Sequence, residues 1–322
     1  MSDVFRVLLT DLPWGDSEIE RSGLEPLGVE VIEASDDGED ALVGLADGVD
    51  AIATCWARVT DRVIAAAPDC RLIARMGIGL DNIDVTSATK RGVPVTNVPD
   101  YCVEEVADHT IALTFAHLRG VGFYHLQTKR GEYDLQAGPE MHRLSTMTLG
   151  LIGLGRIGQA VARRAEAFGF TVIAHTPSGE SRGTGCRMVD LETLLRESDV
   201  ISLHAPLTDA TKHLIDGAAL GEIKRSAYLV NTSRGGLIDH EALEAALASG
   251  RIAGAALDVF EPEPPDLDAS LFRDDRVIAT PHAAFVSVES LVELRTRVAQ
   301  QIAAVLSGER PENVVNPDVY GD

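Results

Sequence analysis

Arg234, Glu263 and His282 are the side chains whose types and settings most directly suggest chemistry. Arg234 sits among small residues in N-T-S-R-G-G, directly after an apolar run. A guanidinium fork there could take a carboxylate and a neighbouring carbonyl in two-pronged fashion. It could equally be a surface arginine paired with a glutamate. His282 follows another apolar run in T-P-H. Imidazole titrates near neutrality and suits proton exchange with an alcohol or carbonyl, although a lone histidine is often structural. Glu263, held between prolines in E-P-E-P, offers a carboxylate that would fix the imidazole tautomer and raise its basicity.

The stretch 148–176, T-L-G-L-I-G-L-G-R-I-G-Q-A-V-A-R-R-A-E-A-F-G-F-T-V-I-A-H-T, supplies what such a trio would serve. A short apolar run turns through Gly153, Gly155 and Gly158 in G-x-G-x-x-G spacing. It continues as a helix with apolar positions at Ile157, Val161, Ala165 and Phe168, closes at Gly169 and enters a second strand. Strand, glycine turn, helix and strand form the unit that binds a dinucleotide. The glycines let the backbone approach a pyrophosphate, and the helix start offers free N–H groups and a positive dipole end. No serine or cysteine nucleophile in a comparable turn accompanies the trio, so proton transfer coupled to hydride transfer is expected over hydrolysis. The nine histidines lack H-x-x-x-H spacing and cysteine partners, so no metal site is expected.

These residues must be positioned by alternating strands and helices. Strands are expected at 4–10, 29–34, 50–54, 72–75 and 93–96, with helices at 40–46, 60–67 and 84–91 between them. A long helix is expected over 100–118, ended by Gly120 and Gly122, then over 124–146 a mixed polar arm or another helix with a loop. After the glycine unit, strands are expected at 200–204, 227–231, 253–259 and 277–280, and a last helix over 289–307. Such alternation implies parallel sheets covered on both faces, with ligands at the carboxyl ends of the strands. In the first region those ends present Trp56, residues 75–79 and Asn97. The expected fold is α/β, two doubly wound parallel-sheet domains with a cleft between them, the last helix returning to the first domain.

Composition narrows the partners. The chain has 322 residues, 45% hydrophobic, and a formal net charge of −22. That surface repels nucleic acid and anionic membrane. Lysine is scarce beside arginine, which fits a high-salt organism or plain compositional drift. No apolar run nears the ~18 residues of a membrane span, and no signal peptide is evident, so the cytoplasm is expected. Cys55, Cys70, Cys102 and Cys186 lack C-x-x-C spacing and read as reduced, partly buried thiols.

The chain resembles the D-2-hydroxyacid dehydrogenases over nearly its whole length, in R-M-G-I-G-L-D-N-I-D, V-T-N-V-P-D-Y, L-G-L-I-G-L-G-R-I-G, L-H-A-P-L-T, N-T-S-R-G-G-L-I-D, A-A-L-D-V-F-E-P-E-P and T-P-H-A-A. The resemblance implies a Rossmann NAD(P)-binding domain over 100–286 and a flavodoxin-like substrate domain over 1–99 and 287–322. It implies that Arg234 binds the carboxylate and carbonyl of a small anionic 2-hydroxy or 2-keto acid. His282 would be the acid/base and Glu263 its partner, a glutamate where formate-oxidising members have glutamine. Ile78 and Gly79 would hold the substrate carboxylate through backbone N–H groups, with Asn97, Tyr101 and Phe285 near the substrate. Gly153, Gly155, Arg156, Ile157, Gly158, Thr176, Pro206, Thr211, Thr232, Arg234, Asp258 and His282 would line the cofactor, Asp258 near the nicotinamide amide. The long helix and the arm would support a homodimer.

Two departures bear on this. The second strand of the glycine unit usually ends in an acidic residue for the adenosine ribose; here it ends in Thr176, followed by Pro177 and Ser178. No carboxylate repels a 2′-phosphate there, and Ser178 or Arg182 could help hold one, so the cofactor is NAD or NADP. Second, S-R-G-G-L-I-D, R-I-A-G-A-A-L-D-V and P-H-A-A-F are most similar to the C-terminal binding proteins, corepressors that sense NAD(H). A cofactor-gated binding protein is therefore the alternative to an enzyme.

Overall fold

Short apolar runs separated by polar, well-capped segments build two parallel sheets. The computed structural model describes residues 4–321. The chain groups into two compact units, Met1–Tyr101 with Ser287–Asp322, and Cys102–Val286.

The first unit contains β1 (Arg6–Leu9), α1 (Glu18–Leu24), β2 (Glu30–Glu33), α2 (Glu39–Leu45), β3 (Ala51–Thr54), α3 (Asp61–Ala65), β4 (Leu72–Arg75), α4 (Val85–Lys90) and β5 (Val95–Thr96). Its strands lie in the order β2-β1-β3-β4-β5, all parallel. Strands β3 and β4 are buried along their whole length, as a parallel sheet covered on both faces requires.

The second unit opens with α5 (Val103–Leu118) and α6 (Val121–Lys129). It continues through β6 (Thr148–Ile152), α7 (Arg156–Ala167), β7 (Thr171–His175), β8 (Arg187–Met188), α8 (Leu191–Glu197), β9 (Val200–Leu203), α9 (Gly217–Glu222), β10 (Tyr228–Asn231), α10 (His240–Ala248), β11 (Gly254–Leu257) and β12 (Val277–Ala279). The parallel order is β12-β11-β10-β9-β6-β7-β8, so the chain reverses direction across the sheet between β6 and β9. That is the dinucleotide-fold order with one added strand, and its switch point lies beside the glycine turn after β6.

Aspartates start several of these helices. Asp84, Asp190, Asp216 and Asp239 each accept the backbone N–H three residues on, satisfying a donor that the first turn leaves free. The final helix, α11 (Val288–Leu306), starts with a reciprocal Ser287–Ser290 capping box.

One local expectation is corrected, and one helix was not expected. Gly122 lies inside α6; the break between α5 and α6 is made by Gly120 alone, in the left-handed region at φ 60°. The polar segment before β2 forms a helix, α1, whose charged face is tied from far along the chain. Glu20 is fully buried and takes Nε and Nη2 of Arg295 on α11 at 2.8 and 2.7 Å. The ring of Trp14 lies 5.4 Å from the same guanidinium. Further along, Gln301 bonds Thr96 Oγ1 at 2.8 Å and donates to the Asn97 carbonyl at 3.0 Å. Asn316 accepts the Val95 amide at 2.7 Å and donates to the Val93 carbonyl at 3.0 Å. The C-terminal segment thus completes the first unit.

Removing one partner of a buried ion pair leaves an uncompensated charge, at a cost of about 3–5 kcal/mol. We expect Arg295→Met to lower unfolding free energy by that order in urea titrations, and the double variant Glu20→Met/Arg295→Met to recover most of it. Equal destabilisation in both variants would refute this account of the α1–α11 pairing.

Candidate active site

In the first unit the carbonyls of residues 76–79, in the turn after β4, all accept hydrogen bonds. The Arg75 side chain, buried at 6% exposure, donates through Nε to the Gly79 carbonyl at 2.8 Å and through Nη1 to that of Met76. The Gly77 carbonyl accepts from Val98 N at 3.0 Å, and that of Ile78 from Asn97 Nδ2 at 2.8 Å. Among the described residues the N–H groups of Ile78 and Gly79 have no acceptor. Two successive amides without an acceptor, with the carbonyls around them engaged, leave donors that an anion could take. Arg75 has no carboxylate partner among the described residues, and its guanidinium lies 6.0 Å from the half-exposed Trp56 ring. Tyr101 is buried nearby in sequence, at the end of this unit. Burial pushes the Cys55 thiol up to about 12, although the positive charge of Arg75 pulls it down, so this cysteine is no thiolate at neutral pH.

In the second unit, adjacent strands β10, β11 and β12 end in register, with Asn231 opposite Leu257 and Leu257 opposite Ala279. Their next turns carry Arg234, the Asp258–Glu263 loop and His282. Arg234 is half-buried; its carbonyl is held by Asn231 Nδ2 at 2.8 Å, and its Nη1 donates to the Ser233 carbonyl at 2.7 Å. The loop can pass the next strand end only because Gly235 has no side chain: a Cβ there would stand 2.0 Å from the Phe260 carbonyl carbon. Glu263 reaches back across that crossing. Its Oε1 accepts the Phe260 amide at 2.8 Å, and its Oε2 lies 2.8 Å from His282 Nδ1. Burial opposes ionisation of Glu263. The His282 hydrogen bond and charge, the Phe260 amide and Arg234 outweigh it and hold the carboxyl below its usual range. Phe285 packs edge-on against His282 with ring centroids 6.2 Å apart.

His282 itself has φ 51°, a left-handed conformation costing roughly 1–2 kcal/mol for a residue with a side chain. Asp258 holds it there. The His282 amide donates to the Asp258 carbonyl at 2.8 Å, and the carboxylate accepts the Ala283 and Ala284 amides, both at 2.9 Å. Thr232, buried, bonds Thr110 of α5 through its hydroxyl at 2.9 Å.

The glycine turn fits a dinucleotide. Gly153 has φ 100°, and a Cβ on it would meet the His204 carbonyl oxygen at 2.4 Å. A Cβ on Gly158 would strike the Gly153 carbonyl at the same distance, whereas one on Gly155 would meet nothing within 4 Å. The first and third glycines are thus demanded by the fold, and the middle one opens space above the start of α7. No side chain caps that helix, so the amides of Arg156 and Ile157 face the same space. Beside it, Thr211 Oγ1 donates to the Pro206 carbonyl at 2.6 Å and shapes the loop after β9. The end of β7 carries two hydroxyls, those of Thr176 and Ser178, 3.4 Å apart.

Residues 111–284 match the family model for the D-isomer specific 2-hydroxyacid dehydrogenase NAD binding domain. The chain belongs to the D-isomer specific 2-hydroxyacid dehydrogenases. Within this enzyme family it is 42% identical over 287 residues to a glyoxylate reductase of Korarchaeum cryptofilum, covering 87% of this chain and 83% of that one. A hydroxypyruvate reductase of Thermotoga maritima is 40% identical over 269 residues, 82% of this chain and 87% of that one. The crystal structure of D-lactate dehydrogenase from Aquifex aeolicus with NAD and lactic acid superposes with a TM-score of 0.88 at 29% identity, covering 97% and 99% of the two chains. The dehydrogenase fold, two parallel α/β units, is that of these relatives, and its cofactor is NAD or NADP.

Arg75 was placed by the sequence at a ligand-facing strand end but given no role. Its signal was an arginine closing an otherwise apolar strand, but its bonds to the carbonyls of the following turn depend on a fold-back that periodicity does not report. Thr280 and the amides after His282 were likewise invisible.

His204 carries a pH consequence for this dehydrogenase. Its Nε2 bonds Ser202 Oγ at 2.9 Å, while Nδ1 is buried without a partner, and burial pushes the ring down to about 4 from 6.5. A histidine that folds neutral must release any proton it holds when unfolded. Stability therefore falls as pH drops from about 6.5 towards 4, by about 3 kcal/mol for this residue. His117 and His240, lowered chiefly by burial, act in the same direction. We expect urea midpoints to fall across that window, with a shallower slope in His204→Asn. Identical slopes would remove His204 as the source.

Proposed function

We propose that this chain reduces a small 2-keto acid, or oxidises the corresponding 2-hydroxy acid, with His282 as proton carrier and Arg234 as carboxylate anchor. The observation that carries this reading is the 2.8 Å His282–Glu263 hydrogen bond, which joins the loops after β12 and β11, the latter strand adjoining β10 and its Arg234, in the same unit as the dinucleotide turn. The names of the relatives, glyoxylate reductase, hydroxypyruvate reductase and D-lactate dehydrogenase, support the same substrate class. In this reading the second unit is the cofactor domain and the first the substrate domain.

A bound nicotinamide supplies or accepts the hydride at the substrate's α carbon. The protein handles the proton and the charge. Glu263 stays ionised at neutral pH, so Nδ1 of His282 is the donor in their bond and Nε2 is the nitrogen that exchanges the proton. In reduction Nε2 gives its proton to the carbonyl oxygen; in oxidation it removes the hydroxyl proton. The carboxylate of Glu263 stabilises the imidazolium present before reduction and formed by oxidation. Arg234 pairs with the substrate carboxylate and polarises the carbonyl. The Ile78 and Gly79 amides serve the carboxylate of the acid, with Asn97 and Tyr101 beside it and Phe285 limiting the side chain. The Gly155 space and the Arg156 and Ile157 amides take the pyrophosphate. Thr232, Pro206, Thr211 and Asp258 line or support the cofactor loops, and Thr176 admits either ribose form. The helix–arm region of α5 and α6 supports self-association into a homodimer.

Purified protein should oxidise NADH or NADPH with glyoxylate, hydroxypyruvate or a larger 2-keto acid. His282→Asn should lower kcat by about 10²–10⁴ with cofactor affinity little changed. Glu263→Gln should move the alkaline limit of the reductive reaction to lower pH, because the imidazolium loses its stabilising charge. Absence of turnover across the panel, with cofactor still bound, would overturn the reading in favour of a cofactor-gated binding protein. For the cofactor, Thr176→Asp should cut kcat/KM for NADPH by about tenfold or more relative to NADH, through repulsion of the 2′-phosphate. An unchanged ratio would show that the ribose edge does not lie at Thr176.

A further inference from the structure

The left-handed backbone at His282 depends on the Asp258 carboxylate, so the orientation of that carboxylate matters to the acid/base. Asp258 is fully buried, and among the described residues no lysine or arginine pairs with it. Two other groups face it. Thr280, two residues before His282, donates its hydroxyl to Asp258 Oδ1 at 2.5 Å. His109, from α5, places Nε2 at 3.1 Å from Thr280 Oγ1 and 3.7 Å from Asp258 Oδ1. The single hydroxyl proton of Thr280 is committed to the carboxylate. Its oxygen is therefore the acceptor, and Nε2 of His109 must be the donor. The result is a directed chain: His109 N–H to Thr280 oxygen, Thr280 O–H to Asp258, and Asp258 accepting the amides of Ala283 and Ala284.

We infer that His109 is a positioning residue for proton transfer at His282, acting through Thr280 and Asp258 to hold the His282 backbone in its left-handed state. The inference rests on the reading of His282 as the acid/base. A buried carboxylate whose hydrogen-bond partners are incomplete can rotate. Rotation of Asp258 would release one of the two amides that pin the turn, and the imidazole would leave its place beside Glu263. His109 contributes the donor that keeps Thr280, and hence Asp258 Oδ1, in one orientation. It stands in α5, far along the chain from Arg234, Glu263 and His282, and it makes no bond to any of the three.

The test compares His109→Leu, His109→Asn, His109→Gln and Thr280→Val with His282→Asn. His109→Leu removes the donor, and kcat should fall about tenfold to a hundredfold with cofactor Kd, read by NADH fluorescence, changed less than about twofold. Glutamine extends an N–H to a reach similar to Nε2 and should restore most of kcat, while the shorter asparagine should not. Thr280→Val should resemble His109→Leu, and the double variant should be no worse than Thr280→Val alone, since either breaks the same chain. If His109→Leu fails to fold, the Gln–Asn contrast decides. Unchanged kcat in His109→Leu, or equal kcat in the Gln and Asn variants, would overturn the inference. So would a loss that follows cofactor Kd. His282→Asn serves as the separate control. If that variant keeps full turnover, the acid/base reading itself fails. If it is inactive while His109 variants are normal, only the positioning role fails.

Discussion

Parallel strands paired in register must end together, and the candidate chemistry of the second unit follows from that constraint. Strands β10, β11 and β12 place Asn231, Leu257 and Ala279 in one row, so the residues that follow leave the sheet side by side. Three loops then compete for the space above neighbouring strand ends less than 5 Å apart in the hydrogen-bonding direction. Gly235 resolves the crowding between the first and second, where a single extra carbon would collide with the Phe260 carbonyl group. Asp258 resolves it between the second and third by accepting the amides of the turn that holds His282. The His282–Glu263 bond is the product of these two accommodations. The side chains meet because their backbones have been allowed to cross and then been pinned.

Electrostatics reinforces the arrangement in two different ways. Most arginines of this acid-rich chain are engaged by carboxylates: Arg164 with Glu104 and Asp108, Arg297 with Asp100, Glu293 and Glu312, Arg295 with Glu20 and Asp16. Arg75 is spent on backbone carbonyls instead. Among the described residues it makes no ion pair.

What the sequence made legible was what depends on local geometry. The glycine spacing, the apolar runs and the order of elements are set by sterics and period within a few residues, and the expected strands formed close to their expected bounds, although β8 was not among them. Arginine, glutamate and histidine could be singled out because each stands beside small or rigid residues at a strand end. What escaped depends on distance along the chain. α1 was not expected because its buried acid, Glu20, is answered only by Arg295, 275 residues later. Thr280 looked like an ordinary strand terminus because its partners, Asp258 and His109, lie 22 and 171 residues away. Gly122 looked like a helix stop, yet its φ lies outside the positive range and the chain continues through it as helix.

The return of α11 to the first unit bears on how the chain is made. A ribosome delivers residues 1–101 first, but those residues lack Arg295, Gln301 and Asn316, which close their core and their last strand. The second unit, by contrast, is encoded without interruption from Cys102 to Val286. It can close as soon as it emerges, since domains fold as units during synthesis. The order of completion therefore runs opposite to the order of translation: the part begun first is finished last. Until the final helix arrives, Glu20 lacks the guanidinium that answers it in the folded unit.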